Sequence, residues 1–307
     1  MKSPVVESIE YLAFAFLVWL ARMLSFRMAG KVGRLLGSTG YYIINYRKKI
    51  TLDNLAHSFP DLTEKERRSI AAGAYKSYGT VLVEGLWAGG QTKEELLKTC
   101  RFVNPEVMRK HLCNPHGLIF LSGHFGNWEF LASAFSLLLG QPISIIAQHQ
   151  RNKRIDATLE AIRSRWGCKM IPMGISTREV FRTLQEGKVV AMLGDQSGPK
   201  EAVFINFFSR PAATHRGPAA FSLKSGTPIV MLFFVRQKDG VYDIHFEEVD
   251  RTGLDGYTEE NVIELTRRHT AILEKYIRMY PEYWLWMHKR WKHTEYYEST
   301  LPTEQEA

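Results

Sequence analysis

The stretch Leu118-Ile-Phe-Leu-Ser-Gly-His-Phe-Gly-Asn-Trp-Glu129 decides how this chain folds. Its first five residues form an apolar run too short for a helix and without polar alternation, the pattern of a strand buried on both faces. Glycines at 123 and 126 then turn the backbone, and residues 127–139 regain helical spacing up to Gly140. Strand, turn and helix make one βα unit, which repeats downstream. Residues 143–147 read as a second strand, followed by a helix over about 153–166 that stops at Gly167. A strand at 168–171 precedes a helix opened by a capping box at Ser176 and Glu179 and ended by Gly187, and the strand at 189–193 runs into Gly194-Asp195-Gln196. A helix at about 216–225, a hairpin of 228–236 and 241–249 around Lys238-Asp239-Gly240, and an amphipathic helix over 258–280 complete the pattern. The expected fold is α/β, with a largely parallel sheet flanked by helices.

Upstream of this unit, Thr63 and Glu66 form a capping box for a helix running toward Trp87, and Asn104-Pro105 opens another. The whole chain has 307 residues, 45% hydrophobic and 23% charged. That composition excludes a disordered chain, a collagen-like repeat and a polytopic membrane protein. The three cysteines, at 100, 113 and 168, lack CxxC spacing and suit a reducing compartment. No repeat or linker forces a domain cut after about residue 30.

The N-terminal end differs from the rest. Residues 11–20 (YLAFAFLVWL) are uninterruptedly apolar, short of the roughly 20 residues that span a bilayer. Acidic Glu7 and Glu10 occupy the place of a positive n-region, which argues against a cleaved signal. Residues 1–60 carry eight bases and three acids, and an apolar segment beside basic residues points to anionic lipid. Three regions are expected: a membrane anchor helix over 1–30, a catalytic domain over 31–293, and an acidic, solvated tail over 294–307 with four acids and no base.

The βα turn carries the chemistry. His124 precedes the helix and Glu129 stands five positions on, within reach of the imidazole once the helix has formed. A carboxylate on one ring nitrogen fixes the tautomer and raises the basicity of the other, as a general base requires. Gly126 and the helix-start amides at Asn127 offer a place for a developing oxyanion. The competing account makes His124 a capping residue and Glu129 a helix-dipole charge. No G-x-S-x-G, Walker A, G-x-G-x-x-G or HExxH motif is present, which speaks against serine hydrolase, P-loop, dinucleotide and zincin chemistry.

The segment HFGNWE resembles the H-x4-[DE] signature of glycerolipid acyltransferases in the form found in bacterial lipid A late acyltransferases. Four further segments are similar to that family in the same order: NLAHSFPDLTEKER from Asn54, Gly194-Asp195-Gln196, FFSRPAAT over 207–214 with Gly217, and PEYWLWMHKR over 281–290. Two departures stand out. The family's YRP appears here as Gln148-His149-Gln150-Arg151-Asn152, and Ser209 stands where glycine is usual.

The resemblance implies acyl transfer from an acyl carrier protein thioester, with a coenzyme A thioester as fallback, to a hydroxyl of a lipid A precursor at the cytoplasmic face of a bacterial inner membrane. It implies no cofactor or metal, with His124 and Glu129 catalytic. Arg151, Arg154, Asp195, Gln196, Arg210, Asn127 and Gly126 are the candidate substrate-binding residues, with Thr214 in support. Lys289, Arg290 and Lys292, interleaved with Trp284, Trp286 and Trp291, are expected at a membrane interface or against an acidic carrier. Glu84 also matches a family glutamate, but reads as a surface charge. The alternatives are another glycolipid or amino-lipid acceptor, a metal hydrolase using His124, His149, Glu129 and Asp195, and a non-catalytic lipid-binding protein. A nucleic-acid partner is not expected, because no binding motif accompanies the basic patches.

Overall fold

The computed structural model of the protein describes residues 3–173 and 176–300. Its main sheet uses β1 (Cys100–Phe102), β2 (Leu118–Ser122), β3 (Ile143–Ala147), β4 (Cys168–Pro172), β5 (Val189–Leu193), β8 (Ile229–Arg236) and β9 (Tyr242–Glu248), in the order β1-β9-β8-β2-β5-β3-β4. Every adjacent pair is parallel except β8 and β9, the expected hairpin. A separate antiparallel pair joins β6 (Val203–Phe207) to β7 (Arg210–Thr214). All five residues of β2, the first four of β5 and the first seven of β8 are buried, as strands covered on both faces must be. The α/β architecture expected from the sequence is therefore the one observed.

The helices are α1 (Pro4–Met23), α2 (Phe26–Thr39), α3 (Lys48–Ser58), α4 (Glu64–Ala88), α5 (Lys93–Leu97), α6 (Glu106–Arg109), α7 (Trp128–Ser133), α8 (Phe135–Leu139), α9 (Lys153–Ser164), α10 (Ser176–Gln185), α11 (Gly217–Ser225), α12 (Glu259–Met279) and α13 (Thr294–Glu298). Both halves of the Thr63–Glu66 capping box are made, and Thr258 caps α12 through Asn261 N. The side chain of Ser176, on which the second expected capping box rests, lies outside the described residues. The helix expected over 127–139 is broken at Ala134, and the break lets Phe135 pack edge-on against Phe120 of β2.

At the N-terminal end, residues 40–44 form a short π-helix between α2 and α3. Before it, α2 lies on α4 with almost no side chain between them. A Cβ added at Gly33 would stand 2.5 Å from Thr80 Cα, one at Gly37 2.0 Å from Tyr75 O, and one at Gly79 2.2 Å from Gly33 O. Helix backbones approach this closely only where the contact residue has no side chain. The helix α2 therefore belongs to the body of the protein, and the boundary expected at residue 30 falls inside it.

The helix α1 is different. It is long and apolar enough to cross a membrane, and only 11% of its most apolar window is buried. Leu12, Phe16 and Trp19 on it are exposed. Its inner edge is tied to the body, since Asn152 Nδ2 donates to Glu7 O at 2.8 Å. At the other end of the chain, the expected tail begins as α13, with Tyr297 stacked on Phe204 and Thr294 buried; residues 301–307 lie outside the described residues. Of the cysteines, Cys100 and Cys168 are buried and Cys113 is exposed.

The α2–α4 contact makes a direct prediction. Gly79→Ala should force the two backbones apart and lower stability by about 1–3 kcal/mol, as overpacking does. Gly40→Ala, whose Cβ would meet only the Tyr75 ring at 3.5 Å, should change it little. Urea unfolding of the two variants checks this, and equal midpoints would refute the glycine-mediated contact.

Candidate active site

The parallel register of β2 and β5 builds the site. Ser122 pairs with Leu193, the last residue of each strand, and Gly194 N donates to Ser122 O at 2.9 Å, so the pairing continues one step further. His124 and Asp195, each two residues beyond its strand, consequently face one another at the carboxyl edge of the sheet, where α/β folds place their ligands. His124 Nδ1 donates to Asp195 Oδ1 at 2.8 Å, and His124 N donates to Oδ2 at 2.7 Å. Trp284 Nε1 adds a third bond to Oδ2 at 2.8 Å. Gly123 between strand and histidine is held tightly, because a Cβ there would lie 3.1 Å from the Asp195 carboxyl.

Burial alone would lower the His124 pKa, but the Asp195 charge and hydrogen bond, with a smaller contribution from Glu129, outweigh it and raise the pKa. The same pairing, reinforced by the His124 amide and the Trp284 indole, overcomes burial at Asp195 and draws its carboxyl down to about 2. Asp195 is thus ionised and holds the proton on Nδ1, leaving Nε2 as the basic nitrogen. Gln196 Nε2 lies 3.3 Å from that nitrogen, a long contact that an incoming hydroxyl can replace.

Nε2 opens onto a cavity of about 610 Å³. One wall is apolar, with Leu82, Trp128, Ile145, Ile146, Met192 and Phe221 on it; His124, Glu129, Arg163, Gln196 and His215 supply polar groups. An apolar slot ending at a paired histidine suits a long hydrocarbon with one reactive polar carbon.

The structure redistributes the expected roles. The carboxylate hydrogen-bonded to the imidazole is that of Asp195. Glu129 lines the same cavity and holds Arg163 in a forked ion pair, at 3.0 and 3.1 Å from Nη2. The helical path from 127 aims the Glu129 carboxylate at α9, while sheet register delivers Asp195 to the ring. Arg163 itself was not singled out from the sequence, where it is one of several cations on an amphipathic helix. Arg151 is exposed and outside the cavity wall, and Arg154 lies over the Tyr11 ring of α1. Arg210 opens β7, paired with Phe207 across a turn in which Phe208 and Ser209 both have positive φ; the left-handed φ of 58° at Ser209 is a reason for glycine at this place.

Gly126 and Asn127 support the loop. Gly126 has φ of +57°, a Cβ on it would stand 1.8 Å from Phe234 O, and its amide is spent on Tyr283 O at 2.9 Å, so it does not offer that N–H to an oxyanion. Asn127 caps α7 through Phe130 N, and its Nδ2 donates to Glu84 Oε2 at 2.9 Å. Glu84 is fully buried, contrary to the surface position expected for it. It also accepts from Tyr242 OH at 2.8 Å and stands 2.8 Å from Arg236 Nη1, yet burial still pushes its carboxyl up to about 7.

The PEYWLWMHKR segment is likewise internal. Trp284, Trp286, Trp291 and Arg290 are buried, leaving only Lys289 and Lys292 of that patch at the surface. Residue 284 pairs with Phe125 as an isolated bridge, Leu285 N donates to His124 O at 3.0 Å, and Arg290 donates to Ala213 O and Thr214 Oγ1. The aromatic residues expected at an interface instead clamp the 123–127 loop from below.

The family model described as bacterial lipid A biosynthesis acyltransferase matches residues 3–293. The lipid A biosynthesis lauroyltransferase of Escherichia coli (strain K12) is 25% identical over 278 residues, covering 90% of this chain and 89% of the relative. The lipid A biosynthesis palmitoleoyltransferase of the same organism is 25% identical over 288 residues, covering 92% and 91%. A lipid A biosynthesis acyltransferase of Shigella flexneri matches to the same extent.

The His124–Asp195 pairing can be tested without any substrate. Asp195→Asn removes the charge that opposes burial, so the imidazole should titrate at lower pH than in the wild type, as read by NMR. The linkage has a definite sign. A raised folded pKa contributes stability below the ordinary histidine value that is lost as pH rises through the folded one. The variant should lack that decline; an unchanged His124 titration would show that Asp195 does not control the ring.

Proposed function

Because this chain belongs to the bacterial lipid A biosynthesis acyltransferase family, and is an acyltransferase, we propose that it moves a fatty acyl chain from an acyl carrier protein thioester to a hydroxyl of a lipid A precursor. The observation that carries the mechanism is the His124–Asp195 pair with its basic nitrogen facing an apolar cavity. The acceptor hydroxyl displaces Gln196 from Nε2 and gives its proton to the ring while its oxygen attacks the thioester carbon. Asp195 stabilises the imidazolium, and Glu129 does so through space. The Gln196 amide, released from Nε2, meets the developing oxyanion. Collapse expels the thiolate, which takes the proton back from His124, leaving an ester and a free thiol. Arg163, held by Glu129 in the cavity wall, offers its guanidinium to an anionic group of the acceptor. The net charge of +8 fits an acidic carrier as donor, with Lys289 and Lys292 among the exposed bases.

The proposed location rests on α1. Its exposed apolar surface and the basic residues after it fit an anchor at the cytoplasmic face of a bacterial inner membrane. The division of labour differs from a cut at residue 30, because Leu24 O accepts from Trp87 Nε1 and Ser25 caps α2.

Two outcomes are expected. His124→Ala should lower acyl transfer by about 10²–10⁴-fold, measured with carrier-bound and coenzyme A thioesters side by side on a lipid A precursor. Near-wild-type turnover, or an acyl adduct trapped on the protein, would rule out direct base-assisted transfer. A chain beginning at Leu24 should keep activity on detergent-dispersed acceptor while moving from the membrane pellet toward the soluble fraction. Firm pelleting of that truncated chain would overturn the anchor assignment.

A further inference from the structure

A second cavity, of about 510 Å³, lies on the other side of α4 from the catalytic one. Lys76, Ser77 and Thr80 of α4 line it, whereas Tyr78 and Leu82 of the same helix line the catalytic cavity. Residues two apart on a helix point about 200° apart, so the helix is a wall between two compartments. The second compartment is cationic. Arg34, Lys76 and Arg236 line it against one carboxylate, Glu282. Of the three cations, Arg236 is engaged by buried Glu84. Arg34 and Lys76 make no side-chain hydrogen bond or ion pair among the described residues. Two cations without an ion-pair partner, set against the single carboxylate of Glu282 and beside the hydroxyls of Ser69 and Ser77, form the donor set of an anion site; the Thr80 hydroxyl is spent on Lys76 O at 2.8 Å.

The surroundings indicate what kind of anion. Tyr42 lines the cavity and begins the apolar tip Tyr42-Ile43-Ile44-Asn45-Tyr46, in which Tyr42, Ile43, Ile44 and Tyr46 are 55–74% exposed. Asn45 and Arg47 take left-handed backbone conformations that turn the tip sharply, and Arg47, Lys48 and Lys49 follow it directly. Exposed large apolar residues bordered by cations match a bilayer interface, with hydrocarbon below and phosphate above.

We propose that the cavity lined by Arg34, Lys76 and Arg236 binds the phosphate of an anionic glycerophospholipid, whose acyl chains lie along the apolar tip at 42–46. This site is separate from that of the transferred acyl chain. The lipid source rests on the membrane reading above, whereas the cation pair stands independently of it.

The test uses the full chain in a zwitterionic detergent and reads thermal unfolding, so it needs no acyl transfer and its outcome is separable from that of the function assay. Dihexanoyl phosphatidylglycerol should raise the midpoint by about 2–3 °C for each tenfold excess over its dissociation constant. Dihexanoyl phosphatidylcholine and inorganic phosphate at the same concentration should do markedly less. The double variant Arg34→Gln/Lys76→Gln should keep its own midpoint, because neither side chain makes a hydrogen bond or ion pair among the described residues, and should lose the phosphatidylglycerol shift. Lys289→Gln/Lys292→Gln, neutralising two exposed lysines elsewhere, should retain it. An equal shift with inorganic phosphate would overturn the lipid assignment in favour of a soluble anion. A full shift in the Arg34/Lys76 variant, or none in the wild type, would overturn the site.

Discussion

The alignment of β2 with β5 is the constraint on which the site depends. Parallel strands ending at paired residues put the next residues of both chains side by side, and here those residues are a glycine and then a histidine on one strand, a glycine and then an aspartate on the other. A slip of one residue in this pairing would leave the imidazole opposite a glycine or a glutamine and reverse which side chains enter the core. The His124–Asp195 geometry and hydrophobic burial are therefore enforced by the same hydrogen bonds. The two residues are 71 positions apart in the chain, yet neither can move independently of the sheet.

Around that pair the structure commits unusual resources to holding one loop. The 123–127 turn is bonded from below by Tyr283, Trp284 and Leu285, and from the side by Glu84 through Asn127. Glu84 is costly: a fully buried carboxylate is tolerated only with its tyrosine, asparagine and arginine partners present, and removing one partner of such a set usually destabilises a protein strongly. The raised pKa records that tension, since burial still outweighs three favourable contacts. Indirect support of this sort holds the His124 ring fixed against Asp195, and in the proposed role as general base small displacements would be expensive in rate.

Strand and helix succession is legible because apolar runs, glycine stops and capping residues are local signals, and the strands at 143–147 and 189–193 and the hairpin stand where those signals put them. The short β1 is not, because the alternation of Cys100-Arg101-Phe102 over only three residues is too brief to mark a strand, nor is the β6–β7 turn, which uses Phe208 and Ser209 where glycine or asparagine normally marks the bend. At the site, His124 and the strand-end position of Asp195 were visible, but their contact was not, because strand order is a property of the whole sheet. Proximity along the chain favoured Glu129 instead. The same limitation hid Arg163 and made buried Glu84 and the tryptophans of 284–291 look like surface features: composition shows that a segment is aromatic and basic, and only packing shows which side faces in.

The cysteines carry a separate practical meaning. Burial pushes the thiols of Cys100 and Cys168 up to about 12, so at neutral pH neither presents a thiolate to an electrophile. Cys113 is exposed, just upstream of β2. The unmodified sequence thus contains a native single-site handle: a maleimide fluorophore or spin label would attach at one place, on the rim of the sheet opposite the edge that carries His124 and Asp195. Distances from that probe to labelled lipid would report how the body is oriented over a bilayer without altering a residue around the His124–Asp195 pair.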